Sequence, residues 1–291
     1  MGEKDVMLKN YFTPERFADM FNAVVFRGRR VVDPGKITPW EKETDEVKVK
    51  GKDVFANWRF RDIIKVAELP DAVYCLMAIE HQIKAEHEMP VRIMEYDARE
   101  YLRQMREERV SKLKPVITLV VYWECDTWPY STTLHEMFDE TAMEFLEKTG
   151  TVEYLSDYKM NIFIPKAATK DELERFGTDL KFLMTYVRYS DDKNKLIDYA
   201  RENDIVLNAE TVTIINKLTN SNLKIEEGME KVHMCKALDD LIEDGRIEGR
   251  NEGIVALISI CREFGIEDND IIAKVTERFS ITKEEAMEIL S

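Results

Sequence analysis

The chain has 291 residues, 42 of them Lys or Arg and 57 Asp or Glu, for a formal net charge of −15. That length allows one substantial domain with an appendage, since domains usually run to about 100–200 residues, and the charge excludes a protein that coats nucleic acid diffusely, because phosphate binding needs concentrated Lys and Arg. No apolar run is long enough to span a bilayer and the N-terminal MGEKDVMLKNYF is charged where a signal peptide is apolar, so a soluble, cytoplasmic protein with no membrane partner is expected.

In chain order, residues 14–27 place Phe17, Met20, Phe21, Val24 and Val25 at helical spacing behind Thr13 as N-cap and Pro14 in the first turn. Strand patterns follow in EVKVK (46–50), WRFRDIIKV (58–66), AVYCLMAIEHQ (72–82) and PVITLVVYW (115–123), the last apolar enough for a central strand covered on both faces. Between the last two, residues 89–109 predict a helix with Ile93, Tyr96, Tyr101, Leu102 and Met105 along its apolar face. NIFIP (161–165) adds a further strand, and helical patterns occupy 170–189, 192–203 and 209–219. Strands, a helix and then an apolar strand indicate a mixed α/β layered core followed by a mainly helical region.

Residues 201–291 hold 11 basic and 20 acidic residues, which disfavours this tail as a DNA-binding surface. Gly245, Gly249 and Gly253 predict a weakened, exposed helix or a hinge, and two short amphipathic helices follow at 268–279 and 282–290. The chain is expected to divide near residue 228, into a domain of 1–228 and an acidic helical region of 229–291 that joins subunits in a homodimer or higher homo-oligomer. Cys75, Cys125, Cys235 and Cys261 are scattered without a C-x-x-C pair, so free thiols are expected rather than a disulfide framework or a zinc site.

The apolar run ending at Glu80 breaks into His81, Gln82 and Lys84. The preceding AELPD carries Pro70 and Asp71, good turn formers, so the two strands are expected to fold as an antiparallel hairpin about Asp71. That fold sets Asp62 opposite Glu80, with Cβ atoms about 5 Å apart. Gln82 and Lys84 follow at the strand period of two and share the face if the strand stays extended, while Lys65 and His81 point the other way. Two close carboxylates repel unless a cation lies between them, and Mg²⁺, which takes one or two carboxylates and keeps several waters, is the natural occupant, with Mn²⁺ as a substitute. The plain alternative is that both acids lie in solvent or pair with Arg59 or Lys84. His81 reads as a histidine of the core or one that supports the site from behind, and Trp123, Trp128 and Tyr130 read as core and rim packing rather than a base-stacking platform.

The ordered segments MLKNYFTPERFADMFNAVVF, RFRDIIKV, IEHQ, MPVRIMEYDAREY and PVITLVVYW, across about residues 5–135, resemble the recombination-promoting nuclease/putative transposase family of the PD-(D/E)XK nuclease superfamily. The resemblance implies a restriction-endonuclease-like mixed β-sheet core flanked by helices, with Asp62 and Glu80 as metal ligands and Gln82 as the group that orients the attacking water. Gln82 stands where the superfamily has lysine and cannot act as a base, so Lys84 is the candidate for the missing charge. Asp19 is the candidate accessory acid from the opening helix, and Arg92 either meets substrate phosphate or buttresses Glu95. Residues 27–65 supply a local strip of 11 basic against 7 acidic residues, compatible with a DNA partner. The function implied is a metal-dependent DNA endonuclease of low sequence specificity, acting in recombination or DNA mobility; the alternative is a degenerate nuclease fold that binds DNA or protein.

Overall fold

The computed structural model describes residues 3–40, 63–226 and 228–290. The chain divides into two units, one of residues 1–196 and 210–221, the other of 197–209 and 222–291. The expected strand at 46–50 and residues 58–62 of the next one lie outside the described residues.

The first unit opens with α1 (Glu3–Tyr11) and α2 (Pro14–Val24). Helix α2 starts where its cap chemistry predicts: Thr13 Oγ1 accepts from the Arg16 N–H, and Pro14 occupies the first turn, where its missing N–H costs nothing. It ends at Val24, short of the expected 27, because Asn22 ties the chain back on itself. The Asn22 Oδ1 accepts from the N–H groups of Val31 and Val32, its Nδ2 donates to Val32 O, and Gly28 takes the turn at φ 88°.

Five strands form one sheet in the order β1 (Ile37–Pro39), β2 (Ile63–Leu69), β3 (Val73–Gln82), β4 (Val116–Tyr122) and β5 (Asn161–Phe163). The pairs β1–β2 and β2–β3 are antiparallel, whereas β3–β4 and β4–β5 are parallel. Ile63 faces Ile79 and Leu69 faces Val73, the register of a hairpin folded about Asp71, which adopts φ 61° in the connection. Helix α3 (Met89–Arg106) carries the chain from β3 to β4, as two parallel neighbours require.

Every residue of β3 from Cys75 to Gln82 is buried. Alternation sends Met77, Ile79 and His81 to one face and Leu76, Ala78, Glu80 and Gln82 to the other. The N-terminal segment covers the first face: Lys65, paired with Met77, donates to Phe12 O at 3.0 Å and lies 4.9 Å from the Phe17 ring centroid, and Phe12 sits 5.0 Å from the His81 ring. Helix α3 covers the second, where Val120, paired with Glu80, packs against Met89, Ile93 and Tyr96. Burying each such side chain stabilises the fold by about 1.5–3 kcal/mol.

The buried face of α3 differs from the expected one. Leu102 and Met105 are exposed, and the stripe beyond Tyr96 runs through Asp97, Glu100 and Gln104. These polar groups bury because each is bonded. Asp97 accepts from Thr118 Oγ1 and Tyr158 OH, Glu100 accepts from Arg103, and the Gln104 amide both donates to Lys114 O and accepts from Lys114 N–H.

Farther along are α4 (Glu140–Thr149), α5 (Lys170–Leu173) and α6 (Leu180–Tyr189). The single helix expected over 170–189 is broken around Gly177, and α2 grips the break with two residues one turn apart. Arg16 makes a two-pronged bond to Asp179 (2.9 and 2.8 Å), while Asp19 accepts from Gly177 N–H, Thr178 N–H, Thr178 Oγ1 and Arg30. After α7 (Lys193–Asn203) and β6 (Val206–Asn208), helix α8 (Ala209–Thr219) joins the same network: Glu210 accepts from Arg16, and Thr211 Oγ1 donates to Asp179 at 2.5 Å. Arg16 holds the Asp179 carboxyl below its usual range against the opposing effect of burial.

In the second unit β6 pairs with β7 (Lys231–His233), which is why residues 197–209 join the segment beyond 222. Helix α9 (Met234–Glu263) runs unbroken through Gly245, Gly249 and Gly253, so these glycines form no hinge. Gly253 has a packing role, since a Cβ there would meet the Phe279 ring at 3.4 Å. Helices α10 (Asp268–Phe279) and α11 (Lys283–Leu290) close a core with α9 around Ile254, Ile258, Ile271, Val275 and Ile281.

Replacing Asp19 by Ala removes an acceptor shared by four donors and leaves two backbone N–H groups without it. The unfolding free energy in urea is expected to fall by about 1.5–3 kcal/mol or more, the worth of at least one hydrogen bond to a charged group. The half-exposed Arg30 arm contributes less than the backbone donors, being screened by solvent. A change within about 0.5 kcal/mol, the range of ordinary surface substitutions, would refute this role.

Candidate active site at the end of the central strand

Glu80 and Gln82 lie among the last three residues of β3, on the face that α3 covers, and are 2% and 7% exposed. Their cross-strand partners on β4 are Val120 and Tyr122, and the strand end is pinned where Trp123 N–H donates to Gln82 O. Asp62 lies outside the described residues. The residue after it, Ile63, pairs with Ile79, the neighbour of Glu80.

The strand stops at Gln82. Lys84 therefore lies in the bend beyond, exposed, and does not continue the alternation that was to bring it onto the face of Glu80. Asp19 is buried, but its carboxylate is committed to Arg30, Gly177 and Thr178, which leaves the accessory-acid role without support in the geometry. Arg92 pairs with Glu86 in the loop between β3 and α3, while Glu95 pairs with Arg99, so Arg92 does not buttress Glu95. The Arg92 Nε is buried and has no acceptor among the described residues.

Of the basic strip, 41–62 lies outside the described residues. Within the described part Arg30 is bonded to Asp19 and Lys36 to Glu68, and Lys65 is half-buried with its pKa lowered by burial, so Arg27 and Arg29 are its exposed cations without a carboxylate bond.

His81 occupies the opposite face, as alternation predicts. Its Nδ1 accepts from the Trp123 indole N–H at 3.3 Å, which selects the tautomer protonated at Nε2, and burial pushes its pKa down to about 3. Trp123 is thus a core residue. Trp128 and Tyr130 behave differently from it: Trp128 packs edge to face on Tyr122 with centroids 5.0 Å apart, and Tyr130 stands 6.1 Å from Trp128 and from His87. The helical period by itself does not mark the buried carboxylate of Asp97, whose signal is its place at i+4 from Ile93 on the apolar face.

Among the described residues no group of three or more His, Cys, Asp or Glu side chains gathers into a metal cage. The Glu80 carboxylate offers oxygen donors, the ligand type that Mg²⁺ takes while keeping several waters.

The model of the family described as "Putative transposase, YhgA-like" matches residues 57–212. The chain belongs to this family. The YhgA-like transposases fall in the PD-(D/E)XK recombination-promoting nuclease/transposase group, and the matched segment contains Asp62, Glu80, Gln82 and Arg92 together with strands β2 to β5. It starts later and ends later than the expected 5–135. No curated protein and no solved structure matches the chain. Among the described residues no helix is long and apolar enough to cross a membrane.

The environment of His81 makes this YhgA-like chain sensitive to acid. An unfolded chain protonates this imidazole near pH 6.5, the native state only near pH 3, so between those values the unfolded state binds one more proton. The stabilisation is complete above pH 6.5 and is lost as pH falls, by up to about 1.4 kcal/mol per pH unit. In urea titrations at pH 7.5, 5.5 and 4.5, His81→Gln is expected to lose one proton's worth of slope relative to the parent. Equal slopes would show that His81 titrates normally.

Proposed function

We propose that the protein is a metal-dependent DNA endonuclease that hydrolyses phosphodiester bonds with low sequence specificity, in recombination or DNA mobility. The observation that carries the reading is the burial of Glu80 and Gln82 at the end of a two-sided central strand, inside the segment matched by the transposase family. The hairpin register supports Asp62 as the partner carboxylate, since Ile63 and Ile79 are already paired.

In this reading Asp62 and Glu80 hold Mg²⁺, with Mn²⁺ as a substitute. The ion when bound lowers the pKa of water and offsets charge on a phosphate oxygen. Gln82 orients the attacking water through its amide, which accepts one hydrogen bond and donates two but takes up no proton. Lys84, free of the strand, reaches from the bend to neutralise charge developing on the phosphate. Arg92, paired with Glu86 in the loop after β3, is the candidate contact for a flanking phosphate through its guanidinium. Asp19 fastens α2 and takes no part.

A second reading is favoured by one observation: the strand that should continue the motif ends at Gln82, an uncharged residue, and Lys84 is off its face. On that reading the chain is a degenerate nuclease fold that binds DNA or a protein partner. Incubating supercoiled plasmid with the protein in Mg²⁺, Mn²⁺, Ca²⁺ or EDTA separates the two. The endonuclease is expected to nick in Mg²⁺ or Mn²⁺, to stop in EDTA, and to lose about a hundredfold or more in rate in Asp62→Asn and Glu80→Gln, with circular dichroism unchanged. Folded protein inactive in all four conditions would overturn the endonuclease reading and favour the second.

The acidic helical unit is proposed to join two or more copies of the chain. Light scattering of the full-length protein is expected to give at least twice the mass of one chain, and a single-chain mass at micromolar concentration would refute it. Truncation at 228 is the poorer test, because it would strip β7 from β6.

A further inference from the structure

A ladder of rings leads away from Glu80 to the surface. Val120, the cross-strand partner of Glu80, lies in the cluster against which Trp128 packs, and Tyr122, the partner of Gln82, meets the Trp128 ring at 88° with centroids 5.0 Å apart. Trp128 in turn meets Tyr130 at 82° and 6.1 Å, and His87, from the loop after β3, braces Tyr130 at 71° and 6.1 Å. Tyr122 is 2% exposed and Tyr130 is 46% exposed, so burial decreases stepwise from the strand to the outermost ring. The loop bearing His87 is tied to α3 by the Glu86–Arg92 pair, and Pro129 restricts the backbone between the two outer rings. The indole Nε1 of Trp128 is buried and has no acceptor among the described residues.

A ring that meets Trp128 and His87 and is half open to solvent, two ring contacts out from the cross-strand partner of Gln82, is suited to receive a flat aromatic group. Nucleobases supply such a face regardless of sequence. In an intact duplex both faces of each base are covered by stacked neighbours, so a base can reach such a ring only when unpaired or extruded. We propose that Tyr130, supported by Trp128 and His87, is a stacking ledge for an unpaired nucleobase, so that the preferred substrate class is DNA carrying unpaired nucleotides beside the cleaved bond. The inference deepens the endonuclease reading and rests on it for the neighbouring chemistry. The ledge supplies contact that owes nothing to cations, which suits a chain of net charge −15.

The test uses full-length protein in EDTA, where binding is read without cleavage. The probes are a single-stranded oligonucleotide containing 2-aminopurine, a duplex with one unpaired 2-aminopurine, and the same duplex fully paired. The parent and Tyr130→Phe are expected to quench the probe on the first two. Tyr130→Ala is expected to lose the quench and bind those two about tenfold more weakly, within the range of one lost base–aromatic stack, while its affinity for the paired duplex is unchanged. Retained quench and affinity in Tyr130→Ala, or equal losses on paired and unpaired probes, would overturn the ledge. Parallel cleavage in Mg²⁺ by the parent and Glu80→Gln keeps the two questions apart. Cleavage that depends on Glu80 with binding indifferent to Tyr130 removes the ledge alone, and a Tyr130-dependent quench without any cleavage supports the ledge while removing the endonuclease.

Discussion

A central strand buried on both faces dictates most of what surrounds it. From Cys75 onward β3 has no side open to water, so its backbone must be paired on both edges and its side chains covered above and below. Strands β2 and β4 meet the first demand, and the N-terminal segment and α3 meet the second. Because the strand turns polar only at its end, the change from apolar to ionisable side chains falls where the covering helices give way to loops. One face receives a carboxylate and an amide, the other a histidine that burial and an indole N–H keep neutral.

The N-terminal cover is itself fastened at long range. Arg16 and Asp19 are one helical turn apart, and both bond to the short break between α5 and α6, about 160 residues away in sequence. A charged pair in this position is stabilising only with nearly every donor and acceptor satisfied, since unpaired charge in a low-dielectric setting is expensive. Arg16 meets that condition through Tyr11 O, Asp179 and Glu210, with the Tyr11 ring 3.8 Å from its guanidinium carbon. The acid that resembled an accessory ligand is thereby absorbed into the architecture, while the Glu80 carboxylate lies buried near the end of β3.

Much of the fold was legible because its signals are local. The Thr13-Pro14 start of α2, the Pro70-Asp71 turn with its register, the span of α3 and the apolar run of β4 all follow from residues within one or two turns of each other. The same local logic misjudged α3 past Tyr96, where Leu102 and Met105 look like core and Asp97, Glu100 and Gln104 look like surface. Their inversion depends on acceptors and donors supplied by Thr118, Tyr158 and Lys114, which no helical period reveals. Of the two forms expected for the glycines of α9, the exposed helix is the one found: Gly245 and Gly249 lie exposed in an unbroken helix, and packing against α10 and α11 begins beyond them.

Sequence alone determined which residue types end the central strand, how the hairpin folds about Asp71, and therefore that Glu80 and Gln82 share a face while His81 opposes them; a period of two and a turn are enough for that. Tertiary structure decided what each charged group is for. It committed Asp19 to a helix break, joined Arg92 to Glu86, released Lys84 from the strand and aligned Tyr122, Trp128, Tyr130 and His87 into one ladder, because partners far apart in the chain meet only when the layers are packed.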